Sequence, residues 1–199
     1  SIQLIKAIPR LKRDLSSAEL SLLGSQINNP KVRAGMNALL ADPNRQLSVL
    51  NAMEKRDAKL AADEKLSGIV GKACMMLLKN QPSKANQALV VRLTAKFRLK
   101  ELEAPITQWL LAEGRSHAEI IAGLTALNEM GSTSREVFQK YFVHTHAPVK
   151  RQATIALASS EDTIVVKFFA DEWDELPGDL RQIAIAGLTS SKPKAELLA

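Results

Sequence analysis

The residues able to do chemistry are few and scattered. His144 and His146 form the one close histidine pair. On a strand they would face the same way and could share a metal ion; on a helix they point about 200° apart. They stand at the end of a helical pattern just before Pro148, where a helix C-terminus favours positive charge. No metal is therefore expected on them. His117 follows Ser116 and reads as a surface residue in the first turn of a helix. Cys74 sits beside Met75, Met76 and Leu77, an apolar setting that marks a structural thiol rather than a nucleophile. Ser25, Ser48 and Ser134 lack the glycine elbow of a serine hydrolase. No phosphate loop or dinucleotide fingerprint is present. Asp171, Glu172, Asp174 and Glu175 surround Trp173. They could chelate calcium, but the glycine and spacing of an EF-hand are missing. The cluster reads as a solvated loop between helices, and Trp173 as either a staple to the core or an anchor for a partner. No catalytic residue, metal or cofactor is expected.

Charge is more informative than any motif. The chain holds 27 Lys and Arg against 21 Asp and Glu, a net +6. Residues 1–100 hold 18 against 7, or +11, and residues 101–199 hold 9 against 14, or −5. The basic half includes Lys6, Arg10, Lys12, Arg13, Lys31, Arg33, Arg45, Lys55, Arg56 and Lys59. Such a surface can neutralise phosphates or an acidic protein. Almost no aromatics interleave with it, which argues against stacking on single-stranded nucleic acid.

The elements that must carry these residues are helical. Hydrophobic residues make up 46% of the chain and aromatics only 4%, with abundant Ala and Leu, a composition for helix–helix packing rather than a β-sandwich. No apolar run reaches the roughly 18–20 residues that span a bilayer, so no membrane span is expected. One cysteine excludes an internal disulfide and slightly favours the cytoplasm. The sequence opens on Ser1, as a processed chain or an excised piece would.

Helix signals recur along the chain. In residues 148–157, Val149, Ala153, Ala156 and Leu157 make one apolar stripe after Pro148. The stripe returns at Leu180, Ala184, Gly187 and Leu188 after Pro177, and at Val32, Met36, Leu39 and Leu40 after Pro30. Weaker copies start at Leu4, Ala62, Val91 and Ile120. The period is roughly 30 residues, within the range of helical repeat arrays. Ile121-Ala122-Gly123-Leu124-Thr125 recurs literally as Ile185-Ala186-Gly187-Leu188-Thr189. Capping boxes are expected at Ser16 with Glu19, Ser116 with Glu119 and Thr133 with Glu136. Ser83 is expected to cap a helix, Ser159 or Ser160 to begin another, and Gly114 to end one. About twelve helices are expected in all, the first over residues 2–15. Residues 55–78 are expected as one helix or two, with Gly68 and Gly71 the weak points.

Pro30 with Val32 and Arg33, Pro148 with Val149 and Lys150, and Pro177 with Leu180 and Arg181 resemble the second helix of a HEAT repeat. The short period is similar to that of the HEAT-like repeats of bilin-lyase-type proteins. Asp179 stands where that family places an inter-helix aspartate, and the Pro148 copy lacks one. The resemblance implies a right-handed α–α superhelix of about six to seven repeats over residues 1–199 as a single domain. It also implies macromolecular binding as the common role, with DNA glycosylases and chromophore lyases among the exceptions. A glycosylase would want a carboxylate beside an aromatic, as at Trp173.

Sequence position would then map onto axial position, leaving a basic end and an acidic end. The expected function is a protein-interaction scaffold that holds an acidic partner along a basic concave surface. Arg33, Arg92, Lys150, Arg151, Arg181 and Trp173 are the expected contacts. The alternative is a nucleic-acid-binding HEAT-like protein of glycosylase type.

Overall fold

The computed structural model describes Gln3, residues 15–55 and residues 63–198. The described residues form twelve α-helices and two short 3-10 turns, and no strand among them. The all-α expectation holds. Of the expected first helix only Gln3 and Leu15 are described; Lys6, Arg10, Lys12 and Arg13 lie outside the described residues, as do Arg56, Lys59 and Ala62.

Contacts divide the chain into two compact units, Ser1–Leu102 and Glu103–Ala199. The first contains α1 (Ser17–Ser25), α2 (Pro30–Ala41), α3 (Gln46–Glu54), α4 (Glu64–Asn80), α5 (Lys84–Phe97) and a 3-10 turn at Lys100–Leu102. The second contains α6 (Glu103–Leu111), α7 (His117–Glu129), α8 (Arg135–Phe142), α9 (Ala147–Ser159), α10 (Ile164–Asp171), a 3-10 turn at Trp173–Glu175, α11 (Gly178–Thr189) and α12 (Lys192–Leu198).

Local chemistry sets most boundaries. Ser16 and Ser116 form reciprocal capping boxes with Glu19 and Glu119, satisfying backbone donors that a helix start would leave unpaired. Ser83 caps α5 and Asp63 caps α4. Gly68 and Gly71 do not interrupt α4, because Ile69, Val70, Ala73 and Cys74 around them are buried and packing outweighs their low propensity. Three expectations fail. The Thr133–Glu136 capping box does not form: the N-cap of α8 is Ser134, one residue later, and it makes no side-chain cap bond, while its hydroxyl donates to Glu103. Ser160 ends α9, and α10 begins only at Ile164. Gly114 stands at φ 76 in the loop beyond α6, which stops at Leu111.

In each unit, helices two apart in sequence pack on one another. In the first unit α1 packs on α3 and α3 on α5, while α2 packs on α4. Gln46, almost fully buried at the start of α3, ties this unit together: its amide donates to Leu40 O at 2.9 Å and Ala73 O at 3.3 Å. In the second unit α7 packs on α9 and α9 on α11, while α6 packs on α8 and α10 on α12. Helix α9 is the axis of this unit, with Val149, Ala153, Ala156 and Leu157 all buried.

Helices α9 and α11 approach closely at Gly187. A Cβ added at Gly187 would lie 2.5 Å from Ala158 Cβ and 2.8 Å from the Ala158 backbone. Lys194 closes this contact from α12. It is 1% exposed, and its Nζ donates to Ala158 O at 2.6 Å, Gly187 O at 3.0 Å and Ser160 O at 3.1 Å. An ammonium has three donors, and here three carbonyls take them. The carbonyls belong to the C-terminal ends of α9 and α11, where helix dipoles favour a cation. Burial still pulls the Lys194 ammonium below the ordinary lysine value, opposed by Glu161.

Lys194→Ala takes the ammonium from Ala158 O and Ser160 O, leaves Gly187 O to Ser190 Oγ at 2.6 Å, and opens a void where the stem was. It is expected to cost about 2–4 kcal/mol in urea unfolding. An unchanged unfolding midpoint would show that water replaces the ammonium at no cost.

Candidate functional site

Trp173 opens the 3-10 turn between α10 and α11, and it is held from below by Arg181. Arg181 Nε donates to Trp173 O at 3.1 Å and Arg181 Nη2 to Asp174 O at 3.1 Å, while the guanidinium lies 5.6 Å from the indole centroid. One side chain thereby fixes both the backbone and the ring of the turn. Beside the ring is a cavity of about 520 Å³, its lining including Val166, Phe169, Trp173, Asp174, Ile185 and Leu188. Its floor is rigid, since Phe169 packs edge-on against Phe168 at 5.6 Å and Phe142 at 6.1 Å. Its mouth is apolar and wet: Ile185 is 49% exposed. Asp171, Asp174 and Glu175 are exposed around it and Glu172 half-buried. Among the described residues none of these four carboxylates is in a salt bridge.

The same apparatus occurs once more in this unit, filled. Arg115 Nε donates to Trp109 O at 3.1 Å, with the guanidinium 4.8 Å from the Trp109 centroid. Trp109, Gly114 and Ile121 follow one another at the same intervals as Trp173, Gly178 and Ile185. The arginines differ in origin: Arg115 precedes α7, whereas Arg181 lies within α11. Thr125 donates to Ile121 O at 2.8 Å, and Thr189 to Ile185 O at 2.8 Å. The two copies also differ in what meets the glycine. A Cβ on Gly123 would lie 2.7 Å from Leu110 and 2.9 Å from Trp109, so α7 closes directly on α6. Gly187 closes on Ala158 of α9 instead. In the same alignment, buried Ile106 and Leu110 become exposed Ala170 and Asp174. Two large aliphatic side chains are lost where the cavity stands.

Of the expected contact residues, the structure brings Arg181 and Trp173 together. Arg181 is occupied in holding the turn. Arg33 is half-buried on α2, and Arg92 on α5 pairs with Glu54 at 3.1 Å. Lys150 lies 5.2 Å over the Phe142 ring, and Arg151 is exposed on α9. Val166, Phe169 and Ile185 escaped the sequence reading. The ungapped match of Trp109, Gly114 and 121–125 to Trp173, Gly178 and 185–189 was the signal that would have found the site.

A second feature is the meeting of all three histidines. His117 and His146 stack at 3.9 Å, and His144 stands edge-on to His117 at 5.4 Å. His146 is not at a helix C-terminus as expected but at the N-cap of α9, and His117 opens α7. Both helix ends disfavour a cation. His144 Nδ1 accepts the His146 N–H at 3.0 Å, which requires His144 to be unprotonated at that nitrogen. His146 Nδ1 is buried with no partner among the described residues. Burial first, then His117 and His144, hold His146 below the ordinary imidazole value of 6.5. A zinc ion about 2.05 Å from a ring nitrogen lies about 3.2 Å from the ring centre, so two shared rings stand at most about 6.4 Å apart. His144 and His146 are 6.5 Å apart. As placed, the three do not close on one ion, and no metal-holding group of His, Cys, Asp or Glu is found among the described residues.

A polar cavity of about 500 Å³ lies at the start of α8, lined in part by Thr107, Ser134, Arg135 and Asp162. Three of its lining groups, Ser134, Arg135 and Asp162, are engaged. Ser132 donates to Glu103 at 2.5 Å and Ser134 to Glu103 at 3.1 Å, and Arg135 pairs with Asp162 at 3.5 Å. No histidine is among the residues that line it. Cys74 is fully buried, and burial, with Glu101 nearby, pushes its thiol up to about 12. It carries no thiolate at neutral pH.

No family model matches this chain, and no curated protein or solved structure matches it.

Two outcomes test the electrostatics. Because His146 is held below 6.5 in the folded state, its contribution to stability is complete above pH 6.5 and is lost progressively as pH falls below it. The urea midpoint should therefore drop more between pH 7.5 and 5.0 for the native chain than for His146→Gln, and equal drops would refute the assignment. Cys74 should resist a thiol reagent at pH 8 until the first unit opens. Rapid labelling of the native protein would contradict its burial.

Proposed function

We propose that this protein is a helical-repeat scaffold that binds a partner protein and performs no catalysis of its own. The observation that carries the reading is a tryptophan held by an arginine ahead of Ile-Ala-Gly-Leu-Thr, at Trp109 in the last turn of α6 and again at Trp173 in the 3-10 turn. The offset between them is close to two periods of about 30 residues. Two bonds recur in both copies, arginine Nε to the tryptophan carbonyl and threonine to the isoleucine carbonyl, so the likeness extends beyond composition. Packing between helices two apart is the nearest-neighbour pattern of stacked helical pairs. We therefore keep the right-handed HEAT-like superhelix as the proposed architecture.

The charge boundary falls at the unit boundary. Residues 1–102 hold 18 Lys and Arg against 8 Asp and Glu, or +10, and residues 103–199 hold 9 against 13, or −4. The basic unit suits an acidic protein surface, with Arg33 and Arg92 as contacts. Lys150 and Arg151 on α9 are the contacts proposed in the second unit. Nucleic acid is the second reading, favoured by the same +10. A glycosylase-like site at Trp173 is not part of it, because four carboxylates there, with no salt bridge among the described residues, repel a phosphate backbone.

The test is affinity capture on the immobilised chain at low and moderate salt, read by mass spectrometry, with duplex-DNA binding measured alongside. The scaffold reading expects one acidic protein, retained less as salt rises and at least fivefold less by Arg33→Glu with Arg151→Glu. Recovery of nucleic acid alone would overturn it.

A further inference from the structure

The groove at Trp173 is a candidate binding site in its own right, separate from the basic residues of the first unit. Three observations bear on what fills it. Its walls are apolar, with Val166, Phe169, Ile185 and Leu188 around a cavity of about 520 Å³, which is the scale of one or two bulky aliphatic side chains with space around them. Its rim is acidic on the side of the 3-10 turn, where Asp171, Glu172, Asp174 and Glu175 are unpaired among the described residues. Its tryptophan is immobilised by Arg181 before any ligand arrives, so little ordering remains to be done on binding.

The filled copy shows what the groove lacks. At Trp109 the corresponding positions carry Ile106 and Leu110, both buried. At Trp173 those positions are Ala170 and Asp174. The missing complement is therefore aliphatic, and a carboxylate stands where the second aliphatic group was. A ligand that restores the packing of the filled copy brings apolar side chains and leaves a cation facing Asp174.

We propose that this groove takes a basic amphipathic helical segment of a partner protein, its leucine- or isoleucine-type side chains against Trp173 and Ile185 and its lysines or arginines over the acidic turn. Apolar anchors spaced at i, i+3 or i+4 and i+7 supply the affinity, and the rim selects the sign of the flanking charge. Anionic phospholipid and nucleic acid are refused by the same four carboxylates. The site is independent of the partner proposed for the basic unit: the scaffold reading survives if this groove binds nothing, and the groove stands if the basic unit does.

The probe is a short synthetic peptide with leucine along one helical face and lysine elsewhere, and its counterpart with glutamate for lysine. Binding is followed by calorimetry and by Trp173 emission in a Trp109→Phe background. The lysine peptide should saturate a single site, weaken about tenfold from low to half-molar salt, and shift the Trp173 emission; the glutamate peptide should not bind. Ile185→Asp is exposed enough to leave the fold intact, and should weaken the lysine peptide at least tenfold. Asp174→Lys with Glu175→Lys should weaken it and flatten its salt dependence. Equal binding of both peptides, or full binding to Ile185→Asp, overturns the proposal. So does a concentration-dependent dimer in sedimentation that Ile185→Asp abolishes, because the groove would then be filled by a second copy.

Discussion

The second unit depends on the contact between Gly187 and Ala158. Without side-chain bulk at Gly187, α11 comes down onto the backbone of α9, at a distance where a Cβ would stand 2.5 Å from Ala158 Cβ. Lys194 then ties the two helices by their exposed carbonyls, giving all three ammonium protons to them. The contact has a consequence elsewhere. A helix drawn toward α9 does not close on the turn that precedes it, and the space beside Trp173 stays open. In the earlier copy the balance goes the other way: Gly123 meets Leu110 and Trp109, and Ile106 and Leu110 are buried.

That pair of outcomes explains how a repeated sequence produces one inert site and one groove. Both copies keep an arginine beneath the tryptophan, the glycine and the threonine that bonds back to the carbonyl one turn earlier. They differ at two aliphatic positions, where Ile106 and Leu110 give way to Ala170 and Asp174. Exchanging large aliphatic groups for small and charged ones in a packed interior would create a void or an unpaired buried charge, each destabilising by several kcal/mol, about 2–5 by large-to-small precedent. At Trp173 the positions are exposed, so the exchange is tolerated and leaves an apolar surface facing water. Exposed apolar surface then stands beside carboxylates that make no salt bridge among the described residues. Elsewhere the one thiol is protonated by burial, and the serines near Glu103 are held in its hydrogen bonds.

Much was legible in advance because it rests on short-range rules. Helical class follows from periodicity and from the scarcity of aromatics; the stripes at Val32, Val149 and Leu180 are buried where the helical period places them. The capping boxes at Ser16 and Ser116 formed because serine and glutamate three apart can each reach the other's backbone. Where a long-range partner competed, the local rule lost. The Thr133–Glu136 box gave way to a start at Ser134, whose hydroxyl bonds Glu103, far back along the chain. No local pattern marks Lys194, and it is the most deeply buried charge among the described residues.

By itself, then, the sequence determined the helices, their apolar faces, the uneven charge and the presence of a repeat, since each depends on residues within a turn or two of one another or on simple counting. Tertiary structure alone decided which of the two tryptophans faces a filled space and which an open one. It also decided that His117, His144 and His146 share one cluster, and that Arg181 bonds the Trp173 turn. The reason is physical: these features arise from competition between packing contacts far apart in sequence. A difference of two side chains and a small shift in helix approach settles each one, and no local pattern records it.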